Sequence, residues 1–107
     1  SEDYLAKLSL TRPNVLQQTL FSYQLSPLTS GTDVAPQSFL GAFGHMVIFR
    51  QGDPDSFKNL HAISSSNAKK NPVEFLTSFA KAGKYTAFTE IKINGKVYNF
   101  SVNFEIR

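Results

Sequence analysis

The sequence predicts an all-β fold: an antiparallel β-sandwich of about seven strands. Three observations carry this. The segment "YNFSVNFEI" (98–106) alternates Tyr98, Phe100, Val102, Phe104 and Ile106 with Asn99, Ser101, Asn103 and Glu105. That is the period of a half-buried strand. The preceding "YTAFTEIKI" (85–93) alternates Tyr85, Ala87, Thr89, Ile91 and Ile93, and Asn94-Gly95 joins the two segments. Asn-Gly is a strong hairpin signal because both turn positions need positive φ. Finally, 10 phenylalanines and 4 tyrosines among 107 residues supply the core of one domain without any cysteine.

Taken in order, "LAKLSLT" (5–11) reads as a first strand. "TLFSYQL" (19–25) follows, with Phe21, Tyr23 and Leu25 on one face. Residues 26–38 hold two prolines and a glycine and read as an exposed connection. Residues 46–49 are apolar on both faces, the pattern of a central strand or of a strand under loops. The loop "RQGDPDSFKN" leads from there to a strand bearing His61. A polar stretch, 64–72, ends in proline and reads as a second long loop.

The segment "NPVEFLTSFAKAG" (71–83) supports two readings. Asn71, Pro72, Glu74 and Gly83 are the punctuation of a helix. Val73, Phe75, Thr77 and Phe79 alternate as a strand. The strand is favoured, because every flanking segment reads β. The expected core is Leu8, Phe21, Tyr23, Val47, Phe49, Phe75, Phe79, Ile91, Phe100, Val102 and Phe104. No repeat or boundary divides the chain, so a single domain over 1–107 is expected.

The net charge is +3, and the basic residues are scattered apart from Lys69-Lys70. Without a basic stripe, no nucleic-acid partner is expected. The lack of cysteine removes disulfides, thiolate nucleophiles and Cys-ligated metals. No apolar run is long enough to span a bilayer. The opening "SEDYLAKLSL" reads as the start of a mature or trimmed domain, with any membrane anchoring supplied outside it.

Candidate chemistry centres on "GAFGHMVIFR" (41–50). His45 can be a copper or zinc ligand, with His61 and Met46 as partners, because imidazole and thioether suit those ions. Adjacent side chains on a strand point to opposite faces, which turns Met46 away from His45. The structural alternative has Gly44 permitting a close backbone approach while His45 hydrogen-bonds its surroundings; this is the favoured reading. Asp53 and Asp55 around Pro54 fit either a calcium turn or an ordinary Asp-Pro turn, and the latter is expected.

No enzyme is expected. Ser64, Ser65 and Ser66 lie near His61 in sequence, but no Gly-x-Ser-x-Gly elbow occurs. Glu74, Glu90 and Glu105 are scattered, and "GAFGH" precedes a strand rather than a helix.

"LGAFGHMVIF" (40–49), "LHA" (60–62) and "VEFLTSFAKAGKYTAFTEIKINGKVYNFSVNFEI" (73–106) together resemble exported bacterial β-sandwich domains of a heavy-metal-associated type. Their pattern is Gly-x-x-Gly-His with an apolar strand, then His-x-His-Pro, then Pro-x-x-Gly-x-Tyr and a closing hairpin. Here His61-Ala62-Ile63-Ser64 stands where that pattern has His-x-His-Pro, and Ala80 replaces the later proline. "AGKYTAF" (82–88) also resembles the tyrosine corner of sandwich folds, with Tyr85 in the structural role.

The resemblance implies an immunoglobulin-like or cupredoxin-like sandwich. It implies a periplasmic or extracellular place in the cell envelope and a link to copper handling, with His45 and His61 as the metal-ligating pair. The expected function is a non-catalytic binding or accessory module, monomeric, with a protein partner or flanking domain. No resident cofactor is expected, and copper or zinc would bind weakly. The alternative is a protein- or carbohydrate-interaction module whose histidine pair is purely structural.

Overall fold

Strands β1 (Tyr4–Thr11) and β2 (Gln18–Pro27) form the first hairpin of the computed structural model, with Leu8 opposite Tyr23. The structure describes residues 4–27, 36–37, 44–63, 72–93 and 95–107, excluding the side chains of Pro36, Gln37 and Pro54. The chain between the hairpin strands passes through left-handed backbone at Arg12 (φ 56°) and Leu16 (φ 61°). Strand β6 (Val73–Ser78) pairs with the other edge of β2, placing Phe75 opposite Phe21. These three strands form one sheet, in the order β1-β2-β6.

The second sheet is built around β7 (Gly83–Ile93). Strand β8 (Lys96–Ile106) pairs along its whole length. Strand β4 (His45–Arg50) pairs with residues 85–90, and β3 (Pro36–Gln37) with Lys92 and Ile93. Because β8 occupies one edge of β7, β4 and β3 follow one another along the other. Strand β5 (Asp53–His61) closes the sheet beyond β4. All pairings among the described residues are antiparallel.

The inner faces of the two sheets make one core. Phe21, Tyr23, Leu25, Val73 and Phe75 face Met46, Ile48, Tyr85, Ala87, Ile91, Ile93, Phe104 and Ile106. Each large side chain buried there contributes roughly 1.5–3 kcal/mol. Aromatic edges lock the layers: Phe21 meets Phe104 at 5.2 Å and 79°, a geometry favoured by the ring quadrupoles. Thr19 is also fully buried, and its Oγ1 donates to the carbonyl of Arg12 at 2.8 Å.

The chain is therefore the expected all-β sandwich; the described residues form seven strands of six or more residues and the two-residue β3. One sheet takes the first, second and sixth strands and the other takes the rest. The Tyr85 hydroxyl donates to the carbonyl of Lys81 at 2.6 Å, which makes a tyrosine corner at the start of β7. In the β7–β8 hairpin, Ile93 pairs with Lys96, leaving a two-residue turn with Gly95 at φ 80°. Asn94, the other expected turn residue, lies outside the described residues.

Residues 73–78 form the strand that the sequence favours, and the helix punctuation at 71–83 is not used. Val73 and Phe75 both face the core, which only the two-residue period allows. In β4 the core residues are Met46 and Ile48; Val47 is half-buried and Phe49 exposed. Both faces of that strand are apolar, so its pattern carries no phase. The phase comes from β7, where Thr89 and Ala87 lie inward opposite Met46 and Ile48. The turn after β4 is Gln51-Gly52, with Gly52 at φ 80°, and Asp53 and Asp55 belong to β5 rather than to an Asp-Pro turn. Within 26–38, β2 extends to Pro27 and residues 36–37 pair with β7; the remainder lies outside the described residues, as do 64–71.

Candidate functional site

The site begins at Gly44. A Cβ there would lie 3.0 Å from Phe75 and 3.1 Å from Val73, so glycine lets the start of β4 settle onto the opposite sheet. The next residue, His45, consequently faces outward, half-buried. It stands directly opposite the exposed His61 of β5 and, on its other side, Glu90 of β7. The two imidazole rings meet edge to face, with centroids 4.7 Å apart at 80°.

Met46 points the other way and is 1% exposed, so its thioether is core rather than ligand. A metal on this face would find two imidazoles. Among the described residues no group of three or more His, Cys, Asp or Glu is arranged to hold a metal ion. Ile63, where the resembled pattern carries its extra histidine, is an exposed apolar side chain.

The register extends this face across the sheet in rows. One row is His61, His45, Glu90 and Asn99. The next is Asn59, Val47, Phe88 and Ser101, followed by Phe57, Phe49, Thr86 and Asn103. Phe57 and Phe88 are 56% and 50% exposed. Phe49 sits between them, stacked on Phe57 at 6.0 Å and edge-on to Phe88 at 6.2 Å. A polar cluster borders the rings. Thr86 Oγ1 donates to Asn103 Oδ1 at 2.8 Å, and Gln51 Nε2 donates to Thr86 Oγ1 at 3.2 Å. Large apolar rings clustered on a solvent-facing sheet are the kind of surface that marks an interaction site.

Sequence reading brought out the histidine pair and missed the aromatic cluster. Its signal was Phe88, which occupies the polar phase of 85–93 beside Thr86 and Glu90. Asp53 and Asp55 instead line a cleft of about 460 Å³ with Ile48, Arg50, Ser56, Lys58, Phe79 and Tyr85 among its walls. Positive and negative side chains mix there, unlike the all-oxygen cage that calcium takes. Beside that cleft, burial pushes the Tyr85 hydroxyl above the usual tyrosine value, while Arg50 pulls it down. Ser64, Ser65 and Ser66 lie outside the described residues.

No curated protein and no solved structure matches the chain. Residues 2–107, nearly the whole sequence, match the family described as "Domain of unknown function (DUF8832)", and the chain belongs to that family.

Proposed function

We propose that the chain is a non-catalytic binding or accessory module of an exported bacterial protein of the cell envelope, linked to copper handling. The observation that carries this reading is the His45–His61 pair: two imidazoles from neighbouring strands, facing solvent at 4.7 Å. The pair supplies half of a four-ligand set, and a partner chain or flanking segment supplies the remainder. The placement in the envelope and the link to copper rest on the resemblance of the 40–49 and 73–106 segments to heavy-metal-associated domains. A titration with Cu(II), followed through the ring resonances of His45 and His61, tests the reading. Selective broadening of both rings before any other signal supports it; rings unmoved at excess copper overturn it.

A second reading rests on the exposed Phe49, Phe57 and Phe88 rings. Here the module holds a protein or carbohydrate partner on the same face, and the histidine pair is structural. Aromatic rings beside amide and hydroxyl groups supply both stacking and hydrogen bonds to such a partner. Binding to an envelope glycan or protein that is lost in Phe57→Ser and kept in His45→Ala would favour this reading over the first.

A further inference from the structure

A cleft opens on a different part of the molecule, where β6 ends at Ser78 and the chain turns across to β7. There Lys58 of β5 occupies the position opposite the core residue Ile48. The cleft measures about 460 Å³, within the range of small-molecule sites.

Its walls are chemically ordered. Ile48, Phe79 and Tyr85 close the bottom, each under 5% exposed. Arg50, Lys58 and Lys81 are the cations of the walls and Asp53 and Asp55 the anions. The Arg50 guanidinium is fixed: Nε and Nη2 both donate to the carbonyl of Ala82, at 3.2 and 2.9 Å. Lys58 Nζ lies 5.8 Å from the centre of the Phe79 ring. Among the described residues, Asp53, Asp55, Lys58 and Lys81 make no ion pair with one another or with Arg50. Opposite charges that line one cleft without closing on each other leave both signs available to a ligand.

We propose that this cleft binds a small zwitterion bearing an apolar group, of the class of free amino acids and short peptides. The ligand's ammonium takes Asp53 and Asp55. Its carboxylate takes Lys58 and Lys81, and the fixed Arg50 adds positive potential on that side. The apolar group lies over Phe79 and Ala80, alongside the hydrocarbon stem of Lys58. This site is independent of the His45–His61 face.

The test is an amide NMR titration with L-phenylalanine and glycyl-L-phenylalanine, run beside phenethylamine and 3-phenylpropionate. The last two carry only one of the charges. The expected result is saturable shifts at Ile48, Ala80 and Lys81 with a zwitterion, at roughly millimolar affinity or tighter. Each singly charged analogue binds about tenfold more weakly or worse. Asp55→Asn and Lys58→Gln each weaken the zwitterion about tenfold and leave the melting temperature unchanged. The proposal is overturned if neither zwitterion gives saturable shifts, if the singly charged analogues bind equally well, or if both variants bind like wild type.

Discussion

Tyr23 and Thr89, 66 residues apart in sequence, meet hydroxyl to hydroxyl at 2.9 Å in the middle of the core. Tyr23 belongs to β2 of the smaller sheet and Thr89 to β7 of the larger, so this bond ties the two layers together. Both residues are almost fully buried, and each hydroxyl depends on the other. Tyr23→Phe leaves the Thr89 hydroxyl dry and unpaired, at an expected cost of about 1–3 kcal/mol. Thr89→Val does the same to Tyr23. The double variant should cost clearly less than the two singles together, because neither orphan remains. Urea unfolding of all four proteins measures the coupling; strict additivity would mean that the hydroxyls do not depend on each other.

Alkaline pH should weaken the fold. Burial raises Tyr23 above its ordinary value of 10.0, and it also raises Tyr85. Once pH passes about 10, the unfolded chain loses tyrosine protons that the folded chain still holds. The unfolded state then binds fewer protons, so stability falls as pH rises above about 10 and these groups contribute no slope below it. Melting temperatures measured from pH 8 upward should bend downward near 10, and Tyr23→Phe should flatten part of the bend.

Gly44→Ala should destabilise through overpacking. The added methyl would meet Phe75 at 3.0 Å and Val73 at 3.1 Å, both on the facing sheet. Backbone shifts of this kind typically cost about 1–3 kcal/mol. Chemical denaturation gives the number. The outward resonances of His45 and His61 should also move, since Gly44 sets the depth at which β4 sits.

The strands were legible where one face is polar. In β8, Asn99, Ser101 and Asn103 alternate with Phe100, Val102 and Phe104, and the structure keeps that phase. In β4, Met46, Val47, Ile48 and Phe49 are all apolar, so only pairing with β7 decides which residues go in. The histidine pair was legible as two imidazoles on neighbouring strands, although their direct opposition depends on a register no local pattern encodes. The Lys58 cleft was not legible, because it arises from the early end of β6 and from an inward lysine on an otherwise polar segment.

The phase of β8 carries a graded prediction. Phe104 is 8% exposed and packs against Phe21, Phe79 and Tyr85. Phe100 packs against the core but stays half-buried. Phe104→Ala should therefore cost about 3–5 kcal/mol, the range for a core phenylalanine. Phe100→Ala should cost less, and Ser101→Ala within about 0.5 kcal/mol of nothing. Equal costs at 100 and 104 would mean that the sandwich is as closed at the Phe100 end as at the Phe104 end.

Metal affinity follows from the ligand count. Zinc takes four protein ligands in a closed site, or three with water. Copper(II) takes a planar set rich in nitrogen and oxygen. His45 and His61 provide two nitrogens, Met46 is buried on the far side of β4, and the exposed Ile63 has no atom that ligates. A single chain should then bind Cu(II) or Zn(II) at micromolar affinity or weaker, which corresponds to at most roughly 8 kcal/mol. Calorimetry at neutral pH on wild type and on His45→Ala checks this, with the variant expected to lose what binding there is. Stoichiometric nanomolar binding that disappears in the variant would show that this chain completes the site from its own groups, and the partner-supplied ligands proposed for copper would be unnecessary.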